Sequence, residues 1–173
     1  MFPTHYRAGF ARLLILVAAA VLLASCSSVQ LPQGDSYALP EDIVYSARKQ
    51  LGQPYHYGGH SPTTGFDCSG LVYWVYWENN LHLPRNAEEQ MDYGESVSRS
   101  ELQPGDVVFF KMNSMLYSLF VDPGYHVGIY EGNNKFIHAP SSTGGAVRED
   151  DLTSDFWAHN YSGARRMLAP KPE

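Results

Sequence analysis

The apolar positions of this chain change period about halfway along, and the change separates two kinds of element. From Glu41 onward, Ile43, Val44, Ala47 and Leu51 recur at helical spacing, with acidic residues in the first turn and Gly52 as a stop, which predicts a first helix. Residues 53 to 60 carry a proline and two glycines, which forbid a regular helix and predict a shaped loop. A second helix is predicted to begin at Cys68, because Asp67 is a good N-cap residue. Its stretch from Leu71 to Trp77 is apolar almost all round, the pattern of a central, buried helix. Asn86, with Glu89 at the capping-box position, opens a third, short helix that runs to about Met91. Beyond it the signal becomes one of strands, at Asp106–Phe110, His126–Tyr130, Lys135–Ala139 and a last run near Tyr161 to Met167, bounded by Gly, Asn and Pro turns. Helices followed by an antiparallel sheet make an α+β domain.

The beginning of the chain follows a different logic. Arg7 and Arg12 precede an unbroken apolar run from Leu13 to Leu23, and small residues then lead to Cys26. This is the pattern of a secretory signal, and the run falls short of the roughly 20 residues that a spanning helix needs. Leu23-Ala24-Ser25-Cys26 resembles the bacterial lipobox, in which the signal is cut before the cysteine and the cysteine is lipidated. That resemblance implies a signal peptide over 1–25, with the lipidated Cys26 and a Pro/Gly-containing tether over 26–40. A globular domain then occupies 41–173, and Ser27 after the cysteine points to the outer membrane. Acyl chains would hold the protein at a membrane, each buried methylene contributing about 0.8 kcal/mol.

The balance of 12 Lys+Arg against 18 Asp+Glu gives a net charge of -6 and no clustered basic stripe, so nucleic acid is not an expected partner. Cysteine usage is more informative. Only 2 are present, and with Cys26 committed to lipid, Cys68 has no partner in an oxidising compartment. Such a thiol is either a small buried hydrophobe or a nucleophile. A nucleophilic cysteine acts as thiolate, and the first turn of a helix stabilises negative charge there, so the helix start is expected to lower its pKa from about 8.5. The Asp67 carboxylate would oppose this, which requires its cap to face backbone amides and not sulfur.

A base is also needed, oriented by a third group. Of 7 histidines, His5 lies in the signal, His159 in what reads as an irregular tail, and His56 and His60 flank Gly58-Gly59, which prevents a helical metal pair. His126 and His138 lie on two strands joined by residues 131–134. If that hairpin is centred on Gly132, position 126 is opposite 138 on one face; a half-residue shift would throw the two imidazoles onto opposite faces.

Five blocks in order carry a further resemblance: Pro54 to Gly59, Gly65 to Val72, Leu102 to Asp106, His126 to Tyr130 and Phe136 to Ala139. Together they resemble the NlpC/P60 family over about residues 41 to 167. The resemblance implies a papain-like fold, with N-terminal helices on an antiparallel sheet of about five or six strands. It also implies hydrolysis of cell-wall stem peptides, with the D-γ-glutamyl-diaminopimelate bond as the expected target and D-alanyl-diaminopimelate cross-links as the alternative. By it Cys68 is the nucleophile, His126 the base and His138 its orienting partner. Tyr55 lies beside the thiol, and amides near Cys68 and Ser69 are oxyanion donors. No cofactor is implied, the partners are peptidoglycan stem peptides and a membrane reached through the lipid, and a periplasmic monomer is expected. A catalytically inactive wall-binding lipoprotein, and an amidase or acyltransferase on a related scaffold, are the alternatives. The chain departs from compact members by a longer segment over 111–125, whose Met112, Met115, Leu116, Leu119 and Phe120 suit a lid, a substrate wall or a hairpin packed on its own domain.

Overall fold

The computed structural model describes residues 39–112, 124–141 and 145–167. The signal, Cys26, the tether and most of the 111–125 segment lie outside the described residues. Helix α1, Pro40–Arg48, begins on a proline at its first position, where the missing N–H costs nothing, and buries Ile43 and Ala47. A two-stranded hairpin follows, β1 at His60–Ser61 and β2 at Gly65–Phe66. It leads into α2, Cys68–Glu78, and then α3, Ala87–Met91, which is capped by Asn86 through a 2.8 Å bond from the Glu89 N–H.

Six strands make one fully antiparallel sheet, in agreement with the sequence pattern: β3 (Glu95–Val97), β4 (Val107–Lys111), β5 (Tyr125–Gly132), β6 (Lys135–His138), β7 (Arg148–Asp151) and β8 (Tyr161–Arg166). Their spatial order is β3-β8-β4-β5-β6-β7. Helix α4, Asp155–Asn160, joins β7 to β8 and carries His159 on its exposed side, so the segment expected to be irregular is helical.

Strand β4 is central and covered on both faces. Val107 and Phe109 join Leu71, Val72 and Val75 of α2, while Val108 and Phe110 join Phe136, Leu152 and Trp157 on the other face. This is why its four apolar residues run without alternation. Asn79 ties the two long helices together, its amide donating to Val75 O at 2.7 Å and Ser46 Oγ at 3.1 Å. Helix α2 is less enclosed than its sequence implied, with Tyr73 and Trp74 half-buried and Trp77 exposed on its outer side. No helix among the described residues is long and apolar enough to cross a membrane.

Candidate active site

Cys68 opens α2 as expected. The Asp67 side chain accepts from the Gly70 N–H at 2.6 Å and from the Gly58 N–H at 2.9 Å, so the cap faces backbone amides. The helix can approach the preceding loop only because of glycine: a Cβ on Gly70 would lie 2.0 Å from the Gly59 carbonyl oxygen. That carbonyl accepts from the Asp67 N–H at 3.0 Å and from Arg85 at 3.1 Å. Arg85 also pairs with Asp67 at 2.7 Å and donates to Ser69 Oγ at 3.0 Å. The buried Gln90 completes the brace by donating to Ser69 O at 3.1 Å and Pro84 O at 2.8 Å. Neither Arg85 nor Gln90 was singled out by sequence reasoning, because each acts from a polar loop or short helix with no motif of its own.

Cys68 is half-buried against the main core, with Tyr55 packed beside the same cluster. Tyr55 is held by its backbone, whose N–H donates to Gly145 O at 2.7 Å and which bridges to Phe66. The backbone amides of Val127, Ser69 and Cys68 itself engage the sulfur and favour thiolate. They do not prevail. Burial, with a smaller addition from the Asp67 charge, pushes the thiol up to about 11, so the helix terminus does not by itself deliver a thiolate to the empty site. Because Val127 follows His126 in β5, its amide on the sulfur sets the thiol one residue from that imidazole.

The two histidines meet, by a register other than the one expected. Gly128, not His126, stands opposite His138, and the last pair is Gly132 with Lys135. The turn is made by Asn133 and Asn134, with φ of 52° and 60°, and the shift between Tyr130 and Gly132 bulges Glu131 out of the ladder. Positions 126, 128 and 138 still share a face, and the position between the two rings has no side chain. A Cβ on Gly128 would lie 2.7 Å from Phe136 and 3.1 Å from His138 Cβ. Across this gap His126 Nε2 and His138 Nδ1 are 2.7 Å apart.

The far side of His138 reaches a residue the sequence did not flag. Its Nε2 lies 3.0 Å from Asp150 Oδ2, and Asp150 also accepts from Arg148 at 2.9 Å and from Trp157 Nε1 at 2.9 Å. Trp157 stacks on the His126 ring with centroids 5.4 Å apart and an interplanar angle of 27°, and meets His138 edge-on. Burial holds both imidazoles below their ordinary range, His138 adding to the effect on His126, so both are neutral near pH 7. Burial alone would raise Asp150, but the bonds from His138, Arg148 and Trp157 keep its carboxyl well below the usual carboxylate range. The only motif-like signal for this group is its spacing of 12 residues from His138, which says nothing before the strand pairing is known. Among the described residues no cluster of His, Cys, Asp and Glu could hold a metal ion.

An arrangement of this kind can transfer a proton from sulfur to imidazole and hold the resulting charge. Comparison with known proteins places the domain that carries it. The family model described as "NlpC/P60 family" matches residues 52–166. The murein DD-endopeptidase MepH of Escherichia coli is 43% identical over 126 residues, which span 71% of this chain and 44% of that protein. The probable endopeptidase NlpC of the same organism is 36% identical over 162 residues, 90% of this chain and 99% of its own. The crystal structure of an NlpC/P60 family protein from Bacillus cereus superimposes with a TM-score of 0.66 at 30% identity, covering 76% of this chain and 41% of that one. With the family model matching residues 52–166, most of the domain, the chain belongs to the NlpC/P60 family.

Proposed function

We propose that the protein is a peptidoglycan endopeptidase that cleaves stem peptides with Cys68 as nucleophile, His126 as general base and His138 as the group that orients it. The observation that carries this reading is the 2.7 Å contact of His138 with His126, which lies on the strand whose Val127 amide engages the Cys68 sulfur.

Because the thiol is raised and His126 is neutral, the resting pair is uncharged, and the sulfur loses its proton to His126 as it attacks the substrate carbonyl. The oxyanion is met by amides at the start of α2, each such donor contributing about 3 to 4 kcal/mol in well-studied hydrolases. His126 then returns the proton to the departing amine, and water hydrolyses the thioester. The substrate bond is D-γ-glutamyl-diaminopimelate or the D-alanyl-diaminopimelate cross-link; relatives carry names of both kinds, the DD-endopeptidase MepH and the gamma-DL-glutamyl hydrolase of Bacillus subtilis. A lipid on Cys26 would hold the monomeric enzyme at the outer membrane, within reach of the wall. The matched region spans less than half of MepH but nearly all of NlpC, which is named a probable endopeptidase.

Incubation of the purified protein with defined muropeptides, followed by mass analysis, tests the whole reading. Stem-peptide fragments of one linkage are expected from the parent and none from Cys68→Ala. Undiminished release by that variant overturns the assignment of the nucleophile, and no release by either form overturns the endopeptidase reading.

A further inference from the structure

The geometry points to Asp150 as the positioning residue that fixes the protons of the imidazole pair, so that Nδ1 of His126 is the bare nitrogen available to the thiol. This rests on the reading of Cys68 and His126 as nucleophile and base, and it adds a fourth member that the family motif does not contain.

The deduction runs from the carboxylate inward. Asp150 receives Nε and Nη2 of Arg148 at 2.9 to 3.2 Å and Nε1 of Trp157 at 2.9 Å. Surrounded by these donors it is ionised, and an ionised carboxylate can only accept. The proton in its 3.0 Å contact with His138 therefore belongs to Nε2 of the imidazole. A neutral imidazole carries one N–H, so Nδ1 of His138 is bare and accepts across the 2.7 Å contact. The donor in that contact is Nε2 of His126, which leaves Nδ1 of His126 unprotonated. His138 is fully buried, so water offers its ring no other partner. Trp157, stacked on His126, holds that ring in plane.

The same carboxylate serves the charged state. When the thiol proton moves to Nδ1, His126 becomes a cation, and among the described residues the groups that act on its charge are Asp150 and Arg148 from β7, with His138 from β6. Asp150 favours the cation and Arg148 opposes it. Asp67 acts on the thiol from the cap of α2, and β4 and α4 contribute only Phe110 and Trp157. Tyr161, which borders Phe110, is kept neutral by burial. In Asp150→Asn the charge is lost, and the amide can present either its oxygen or its nitrogen to Nε2 of His138. The order of protons is then no longer fixed, and in the reversed form Nδ1 of His126 carries a hydrogen toward the sulfur where it must accept one.

The test uses the full chain in detergent micelles, as parent, Asp150→Asn and Asp150→Glu, with folding checked by circular dichroism. Long-range proton–nitrogen spectra of 15N-imidazole are expected to show His126 protonated at Nε2 and bare at Nδ1 in the parent and in Asp150→Glu, and a share of the reversed form in Asp150→Asn. Alkylation of Cys68 by iodoacetamide should be slower in Asp150→Asn near pH 7 and converge on the parent near pH 11, where hydroxide removes the thiol proton. Muropeptide turnover should fall about 10²- to 10⁴-fold, the range of a lost general base. A His126 protonated at Nδ1 in the parent overturns the inference even if the variants do not fold, and so does an alkylation profile that Asp150→Asn leaves unchanged. Spectra and alkylation need no wall substrate. Parental protons with an Asp150-dependent profile but no fragments released would refute the endopeptidase reading alone, whereas turnover indifferent to Asp150 would refute this inference alone.

Discussion

Gly128 shows how a single residue decides whether two chemical groups meet. Its missing side chain opens the space through which His138 reaches diagonally to His126, and the atoms around it are Phe136, the Ile137 carbonyl and His138 Cβ. Gly128→Ala must displace one of them, and since the strand is paired on both sides, the ring of His138 is the part that can move. We expect a stability loss of about 1 to 3 kcal/mol, typical of overpacking, and a fall in muropeptide turnover larger than that loss explains, measured on protein shown to be folded. Unchanged turnover would mean that the imidazole contact is not needed. At this scale the sequence was legible where chemistry and motif coincide, at Cys68, His126 and His138. It was silent at Asp150, whose position in Arg148-Glu-Asp-Asp151 reads as surface charge, because a strand with no apolar alternation gives the periodicity argument nothing to detect.

Elements with an apolar pattern or a clear cap were foreseen; those that fold on pairing were not. The first two helices and strands β4, β5, β6 and β8 each carry an apolar signal, and Asn86 with Glu89 marks the third helix. Strands β3 and β7 are polar sheet edges that exist because a neighbour pairs with them. The β5–β6 register was misjudged because Gly132 is the obvious turn residue, while two asparagines in left-handed conformation make the turn. Helix α4 is six residues long, too short for a period to show, yet it brings Trp157 over both imidazoles. Replacing Trp157 by Phe keeps an aromatic ring there and removes the N–H to Asp150 together with part of the ring packed on Phe110 and Phe136. The expected cost is about 1 to 3 kcal/mol, that of a hydrogen bond to a charged acceptor, with turnover reduced several-fold. Thermal unfolding and kinetics on the same sample would check it, and a variant as stable and active as the parent would show that the indole N–H holds nothing.

Taken as a whole, the molecule keeps two neutral imidazoles where an unfolded chain would charge them. Both titrate below their ordinary value of 6.5 because of burial. As pH falls below about 6.5, the unfolded state therefore binds protons that the native state refuses, and stability drops by up to about 1.4 kcal/mol per group per pH unit. Asp150, depressed in the native state, adds its own loss only below about pH 4. The melting temperature should fall between pH 7.5 and 5.5, and less steeply in His126→Gln; equal slopes would show that His126 is not held neutral. By the same sign the base stays unprotonated into mildly acidic solution, so turnover should outlast the ordinary histidine range as long as the fold does.

Trp157 has one more consequence. The chain has 3 tryptophans, and two of them, Trp74 and Trp77, lie together in α2. The third is in contact with His126, His138 and Asp150 at once. Because an imidazolium quenches indole emission far better than a neutral ring does, proton arrival on either histidine is written into the light that Trp157 gives back. The charge state of the imidazole pair is thus open to an optical reading that needs no label.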